Sequence, residues 1–138
     1  MTRPSYSTLD QHYSNDFHDC PDIIPSPNQC AVRLSRAFIA AGISMDSSYP
    51  GNLCRHGYAR GAQDLGAFLK TKWGTRDHGF ENPGSTPSQI QNTKGVILFM
   101  NIPGFSGQGH IDLWDGSRTR TPNGEYWNAN PIWFWTLF

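Results

Sequence analysis

The sequence predicts an α+β fold. Two segments with apolar residues at helical spacing lie before residue 75, and a continuous apolar run follows at Gly95–Met100. Behind it, His110-Ile-Asp-Leu-Trp114 leads into Asp115-Gly116, the strongest short signal for a β-hairpin. Helices first and strands after give helices packed on an antiparallel sheet. With 138 residues, 37% hydrophobic and 16% charged, the chain has the length of one domain spanning 1–138 and is neither a charge-rich disordered chain nor a low-complexity repeat.

Residues 1–27 read as an irregular lead-in. They are polar and broken by Pro4, Pro21, Pro25 and Pro27, with room for one short helical turn. A helix is predicted over about 29–41, because Asn28 is a good N-cap, Ala31, Leu34, Phe38 and Ala41 form an apolar stripe, and Gly42 is a stop signal. A second helix is predicted from about Gly61 to Trp73, with Ala62, Leu65, Phe68, Leu69 and Trp73 on one side. Residues 74–94 are turn-rich, with a short helix expected at Thr86–Gln91. Gly95–Met100 then reads as a buried central strand. His110–Trp114 and Ser117–Thr121 are the expected hairpin arms, and the aromatic Pro131–Phe138 tail is expected to pair as a last strand.

Charge and composition exclude several classes of function. Eleven Lys and Arg balance eleven Asp and Glu, which removes the broad basic field that nucleic-acid or anionic-membrane binding relies on. The longest apolar runs, Val96–Met100 and Ile132–Phe138, fall far short of the roughly 20 residues a membrane helix needs, so no membrane insertion is expected. No apolar core follows the single Arg of the N-terminus, so no secretory signal peptide is readable. Cys20, Cys30 and Cys54 are too scattered for a zinc site, and His12, His18, His56 and His78 lack ligand spacing. No metal or organic cofactor is expected.

One pair of residues points to chemistry. A cysteine in the first turn of a helix faces the positive end of the helix dipole, which favours thiolate over thiol; Cys30 is so placed by the predicted helix. A nucleophile also needs a base, and His110 opens a strand directly after the loop Gly104-Phe-Ser-Gly-Gln-Gly109. A helix-start Cys followed some 80 residues later by a strand-start His is the chain order of papain-like cysteine enzymes. The Cys30 backbone N–H is the expected oxyanion donor. Arg33, Arg36, Arg55 and Arg60 read either as a solvated helix surface or as a rim that attracts a carboxylate-bearing substrate. Trp114, Trp133 and Trp135 read as core or sheet-face residues, while Trp127, in an Asn/Pro-rich loop, could line a cleft.

These residues also carry a family resemblance. Asn28-Gln-Cys-Ala-Val-Arg-Leu-Ser35 and Gly109-His-Ile-Asp-Leu-Trp-Asp-Gly116 resemble the two signature segments of the family-four amidase effectors of type VI secretion. Those are small papain-like (NlpC-type) cysteine amidases injected into rival bacteria to cut peptidoglycan stem peptides. Cys54-Arg-His-Gly-Tyr-Ala-Arg-Gly-Ala-Gln-Asp-Leu65 and Lys94-Gly-Val-Ile-Leu-Phe99 resemble family segments too, so the likeness runs from about residue 28 to 117. It implies Cys30 as nucleophile, His110 as general base, and cleavage between γ-D-glutamate and meso-diaminopimelate. It further implies manufacture in the bacterial cytoplasm, delivery by the type VI apparatus without a signal peptide, action in the target-cell periplasm, and a cognate immunity protein.

The third member of the triad is open. The family pattern places an Asp about eleven residues beyond the histidine, where this chain has Thr121. A hairpin turning at Asp115-Gly116 brings residues 121–123 back opposite His110, which makes Asn123 the nearest amide able to hold the imidazole tautomer. Asp112 is the alternative, since residues two apart on a strand share a face. With Cys30 assigned, Cys20 and Cys54 are expected either to form a disulfide tying the lead-in to the loop between the helices or to remain two free buried thiols. The predicted activity is cysteine amidase chemistry on the stem peptide. The rival readings are a non-catalytic peptidoglycan-binding module on the same fold, argued from Thr121, and a cysteine acyltransferase or deamidase using the same pair.

Overall fold

The computed structural model describes residues 2–15, 29–105 and 107–138. Its helices are α1 (Tyr6–His12), α2 (Cys30–Ala40) and α3 (Ala62–Trp73), and its strands β1 (His78–Phe80), β2 (Gly95–Phe99), β3 (His110–Trp114) and β4 (Ile132–Thr136). The strands form one antiparallel sheet in the order β1-β4-β2-β3. This is the α+β architecture expected from the sequence.

Strands β2 and β3 are buried on both faces, which explains why β2 reads as an unbroken apolar run although its neighbours are antiparallel. Val96, Leu98, Ile111, Leu113 and Trp135 share a core with Leu34, Phe38, Leu65, Phe68 and Leu69 of the helices. Ile97, Phe99, Trp114, Ile132 and Phe134 build a second core on the other face with Ile90, Ile102 and Ala129. Strand alternation then sets the orientation of β3: Ile111 and Leu113 belong to the helix side, and His110, Asp112 and Trp114 to the opposite side.

Several elements differ from expectation. Within the predicted irregular lead-in, residues 6–12 are helical, because Ser5 caps the first turn by accepting from Thr8 N (3.2 Å) and Tyr6 and Leu9 bury their side chains. The Tyr6 N–H donates to Phe138 O at 2.8 Å, which fastens α1 to the end of the chain. The turn-rich 74–94 segment contains the three-residue strand β1, too short to show an alternating pattern, while the short helix expected at Thr86–Gln91 is present as a 3₁₀ turn at Ser88–Ile90. Asn28, the expected cap of α2, and His18 lie outside the described residues; Gln29 precedes the helix and makes no side-chain capping bond.

The expected hairpin partner of β3 is not a strand. Asp115 Oδ1 accepts from the backbone N–H groups of Ser117 and Arg118, both at 2.8 Å, which widens the turn to four residues. Pairing beyond it is limited to a single bridge between Trp114 and Thr119 and a bond from Arg120 N to Leu113 O. The chain turns again at once, with Gly124 N donating to Thr121 O at 3.1 Å. The returning segment thus covers the outer edge of β3 without extending the sheet.

Candidate active site

Cys30 is the first residue of α2, and its backbone N–H is among the four at a helix start that lack an intrahelical acceptor. His110 is the first residue of β3. The preceding glycine, Gly109, has φ 93 and lies so near the Phe99 carbonyl that a Cβ would collide with it, so only glycine delivers the chain into β3 here. Upstream, the loop is fastened to the start of α3: Gln108 Oε1 accepts from Asp64 N and Gln108 Nε2 donates to Asp64 Oδ2, both at 2.9 Å.

Cys30 and His110 come together. The two side chains are hydrogen-bonded and both line a cleft of about 280 Å³ with Gln29, Arg33, Phe105, Thr121 and Tyr126. On its other side, His110 Nε2 stands 2.7 Å from Asp112 Oδ2. With Nε2 turned to the carboxylate, Nδ1 is the ring nitrogen left for the Cys30 sulfur. The imidazole is stacked on Phe99 (6.3 Å between centroids) and meets Tyr126 edge-on at 5.5 Å, so ring contacts and hydrogen bonds fix its orientation together.

Asp112 is fully buried, at 0% exposure, and its oxygens are saturated. Oδ1 accepts from Leu113 N at 2.8 Å; Oδ2 accepts from Thr121 N at 3.2 Å as well as facing His110. Burial works to lower the His110 pKa, but the hydrogen bonds and charge interactions with Asp112 and Cys30 outweigh it and push the group up to about 10. His110 is therefore an imidazolium across the neutral range.

Asn123 does not hold the imidazole. It sits exposed in the turn at φ 58, and Gly124, the next residue, is the one brought against the ring. The nearby turn displaces the amide expected there, and the residue two along the strand takes its place. Thr121 supplies its backbone N–H to the same carboxylate, while its hydroxyl meets Tyr13 OH at 3.1 Å.

Of the four arginines singled out, Arg33 lines the cleft. Arg36 donates to His12 O at 3.4 Å, and Arg55 and Arg60 are exposed elsewhere. Trp127 is partly buried and packs against the second core, edge-on to Phe99 and Trp114; its neighbour Tyr126 lines the cleft. Phe105 and Tyr126 carry no sequence signal of their own beyond lying in the two loops flanking His110. Gln29 was legible only as the neighbour of Cys30. Among the described residues, no cluster of three or more His, Cys, Asp or Glu side chains is placed to hold a metal. No helix among them is long and apolar enough to cross a membrane. Cys54 is buried and disulfide-bonded and Cys30 is a free thiol, whereas Cys20, the other half of the expected bridge, lies outside the described residues.

A family model described as type VI secretion system (T6SS), amidase effector protein 4 (Tae4), matches residues 27–135. No curated protein sequence matches the chain significantly. Among solved structures, the effector–immunity complex Tae4–Tai4 from Salmonella Typhimurium aligns with a TM-score of 0.78 and 22% identity over 99% of this chain and 100% of that one. The Tae4–Tai4 complex from Enterobacter cloacae gives 0.74 and 22%, also over 99% and 100%. The effector Tae4 from Enterobacter cloacae gives 0.73 and 22% over 99% and 98%. At such identity the structural likeness speaks for the fold.

Proposed function

The chain belongs to the Tae4 family of type VI secretion amidase effectors, and on that premise we propose that it is a papain-like (NlpC-type) cysteine amidase of the peptidoglycan stem peptide, built as one domain over residues 1–138. The observation that carries this reading is the line Cys30–His110–Asp112 at the cleft, with 2.7 Å between Nε2 and the carboxylate. The bond proposed is the amide between γ-D-glutamate and meso-diaminopimelate.

In the reaction His110 already holds the proton, and Cys30, paired with that imidazolium, adds to the amide carbonyl as the thiolate. The Cys30 backbone N–H at the start of α2 faces the resulting oxyanion. His110, protonated over the neutral range, then gives its proton to the leaving amine, and the C–N bond breaks. Water, deprotonated by His110, hydrolyses the thioester, and the sulfur leaves as thiolate beside the reprotonated His110. Asp112 touches neither substrate nor sulfur; it positions the ring and balances the imidazolium.

The Asp112 contact favours catalysis over the binding-module reading, because Thr121 was the argument for a lost triad and a carboxylate reaches His110 from another position. The relatives solved with Tai4 support a cognate immunity protein as partner, delivery by the type VI apparatus and an antibacterial role in the target-cell periplasm. Mass spectrometry of purified muropeptides after incubation tests the reading. Products separated at the γ-D-glutamyl–diaminopimelate amide with gain of one water are expected; intact muropeptides, or products joined to an added amine acceptor in place of water, would overturn it.

A further inference from the structure

Thr121 stands where the loop returning from β3 passes the active site, and each of its polar groups is engaged. Its N–H donates to Asp112 Oδ2 at 3.2 Å, the same oxygen that faces His110. Its carbonyl accepts from Thr119 Oγ1 at 2.8 Å and from Gly124 N at 3.1 Å, both within the loop. Its hydroxyl pairs with Tyr13 OH at 3.1 Å, across 108 residues of sequence. Tyr13 ends α1 and is buried, at 4% exposure. The same end of α1 holds the loop at the preceding residue: Arg120 Nε donates to Asp10 Oδ1 at 2.7 Å, Asn15 Nδ2 donates to Arg120 O at 3.1 Å, and the Arg120 guanidinium lies over the Tyr13 ring. Burial, and after it the charge of Asp112, push the Tyr13 phenol up, so its hydroxyl stays protonated beside the site.

Resting on the amidase reading above, we infer that Tyr13 is a positioning residue of the active site: through its bond to the Thr121 hydroxyl it holds the Thr121 N–H on Asp112, and so steadies the carboxylate that orients His110. A buried carboxylate keeps its place while donors satisfy its oxygens. Of the three contacts at Asp112, those from His110 and Leu113 N come from β3 itself, at 2.7 and 2.8 Å. The third, from Thr121, is the longest and comes from a loop that makes one bridge to the sheet, so it depends most on support from outside. Thr121 lines the cleft and Tyr13 does not. An effect of Tyr13 on catalysis therefore passes through Thr121 and belongs to kcat rather than to substrate binding.

The test measures kcat and KM on a stem peptide for wild type, Tyr13→Phe, Thr121→Val, Thr121→Ser and the Tyr13→Phe/Thr121→Val double variant. Tyr13→Phe removes one oxygen and keeps the buried ring; it is expected to lower kcat roughly three- to tenfold with KM within about twofold, the scale of one hydrogen bond. The double variant is expected to cost no more than the larger single one, and Thr121→Ser to recover most of the Thr121→Val loss. Ser5→Ala, which removes the cap of α1 and leaves the hydroxyl pair in place, is expected to lower the denaturation midpoint with kcat unchanged. Wild-type kcat in Tyr13→Phe, losses that multiply in the double variant, or an equal kcat loss in Ser5→Ala would each overturn the inference and leave the amidase reading standing. The His110 Nε2–H proton resonance, assigned by its absence from His110→Gln, reads the same link without substrate: it is expected to shift in Tyr13→Phe and not in Ser5→Ala, and an unmoved resonance in Tyr13→Phe would contradict the inference. A wild type that cleaves no stem peptide would overturn the amidase reading, and the ring proton would still decide whether Tyr13 acts on His110.

Discussion

Asp112 lies two residues beyond His110 on β3 and places Oδ2 2.7 Å from His110 Nε2, on the sheet face that both residues share. The carboxylate and the imidazole are thus carried by one strand, and the returning loop contributes a backbone N–H where a side chain was expected.

This arrangement predicts that Asp112→Asn lowers kcat/KM by roughly a hundred- to ten-thousandfold, the range for losing the group that sets a catalytic imidazole's tautomer. Asn123→Ala, in the exposed turn, is expected to stay within about twofold of wild type. Steady-state kinetics on a stem peptide checks both, and the reverse order would place the orienting group in the turn.

Gly124 predicts a purely steric effect. A Cβ there would stand 3.0 Å from His110 Nε2 and 2.8 Å from Thr119 Oγ1. Gly124→Ala is expected to cost roughly ten- to a hundredfold in turnover by displacing the ring, since small misplacements of reacting groups are that costly. A fully active Gly124→Ala protein would show that the ring has room to move.

The raised pKa of His110 makes stability depend on pH with a definite sign. The histidine titrates near 6.5 when unfolded and near 10 in the fold. Between these values the folded state holds a proton that the unfolded state has released, so stability falls as pH rises. The contribution is complete below about 6.5 and gone above about 10. Denaturant titrations from pH 6 to 10 are expected to show wild type losing stability relative to His110→Gln, and a pH-independent difference would contradict the pairing with Asp112 and Cys30.

The helices were legible in this sequence because Leu34, Phe38, Leu65 and Phe68 repeat at helical spacing and do line the core. Cys30 and His110 were legible because each opens an element. Asp112 was legible only as the alternative to Asn123, and the choice between them was not readable, for a physical reason: Asp-Gly suggests a two-residue turn, but the Asp115 side chain captures the next two free N–H groups and widens it. The segment beyond then makes one bridge and turns away, and no local pattern announces that. Strand β1 was hidden likewise, because three residues paired only with β4 carry too little periodicity to be read. The cleft walls Phe105 and Tyr126 come from loops, where neighbours in space are not spaced regularly in sequence.

Cys54 and Cys20 carry a further prediction, that they form a disulfide enclosing roughly 30 residues. The chain-entropy relation gives about 3 kcal/mol for such a loop. Alkylation of the denatured, unreduced protein is expected to label Cys30 alone by intact mass, with reduction lowering the denaturation midpoint. Three labelled thiols would contradict the bridge.

The central claim is that Cys30 attacks the substrate with His110 as its acid and base, and the most direct measurement is amine release from a stem peptide by wild type, Cys30→Ala, His110→Ala and the double variant. Because the two act as a unit, each single substitution is expected to reduce turnover to background with the fold intact by circular dichroism, and the double to cost little more. Substantial turnover by a folded Cys30→Ala protein would contradict the account.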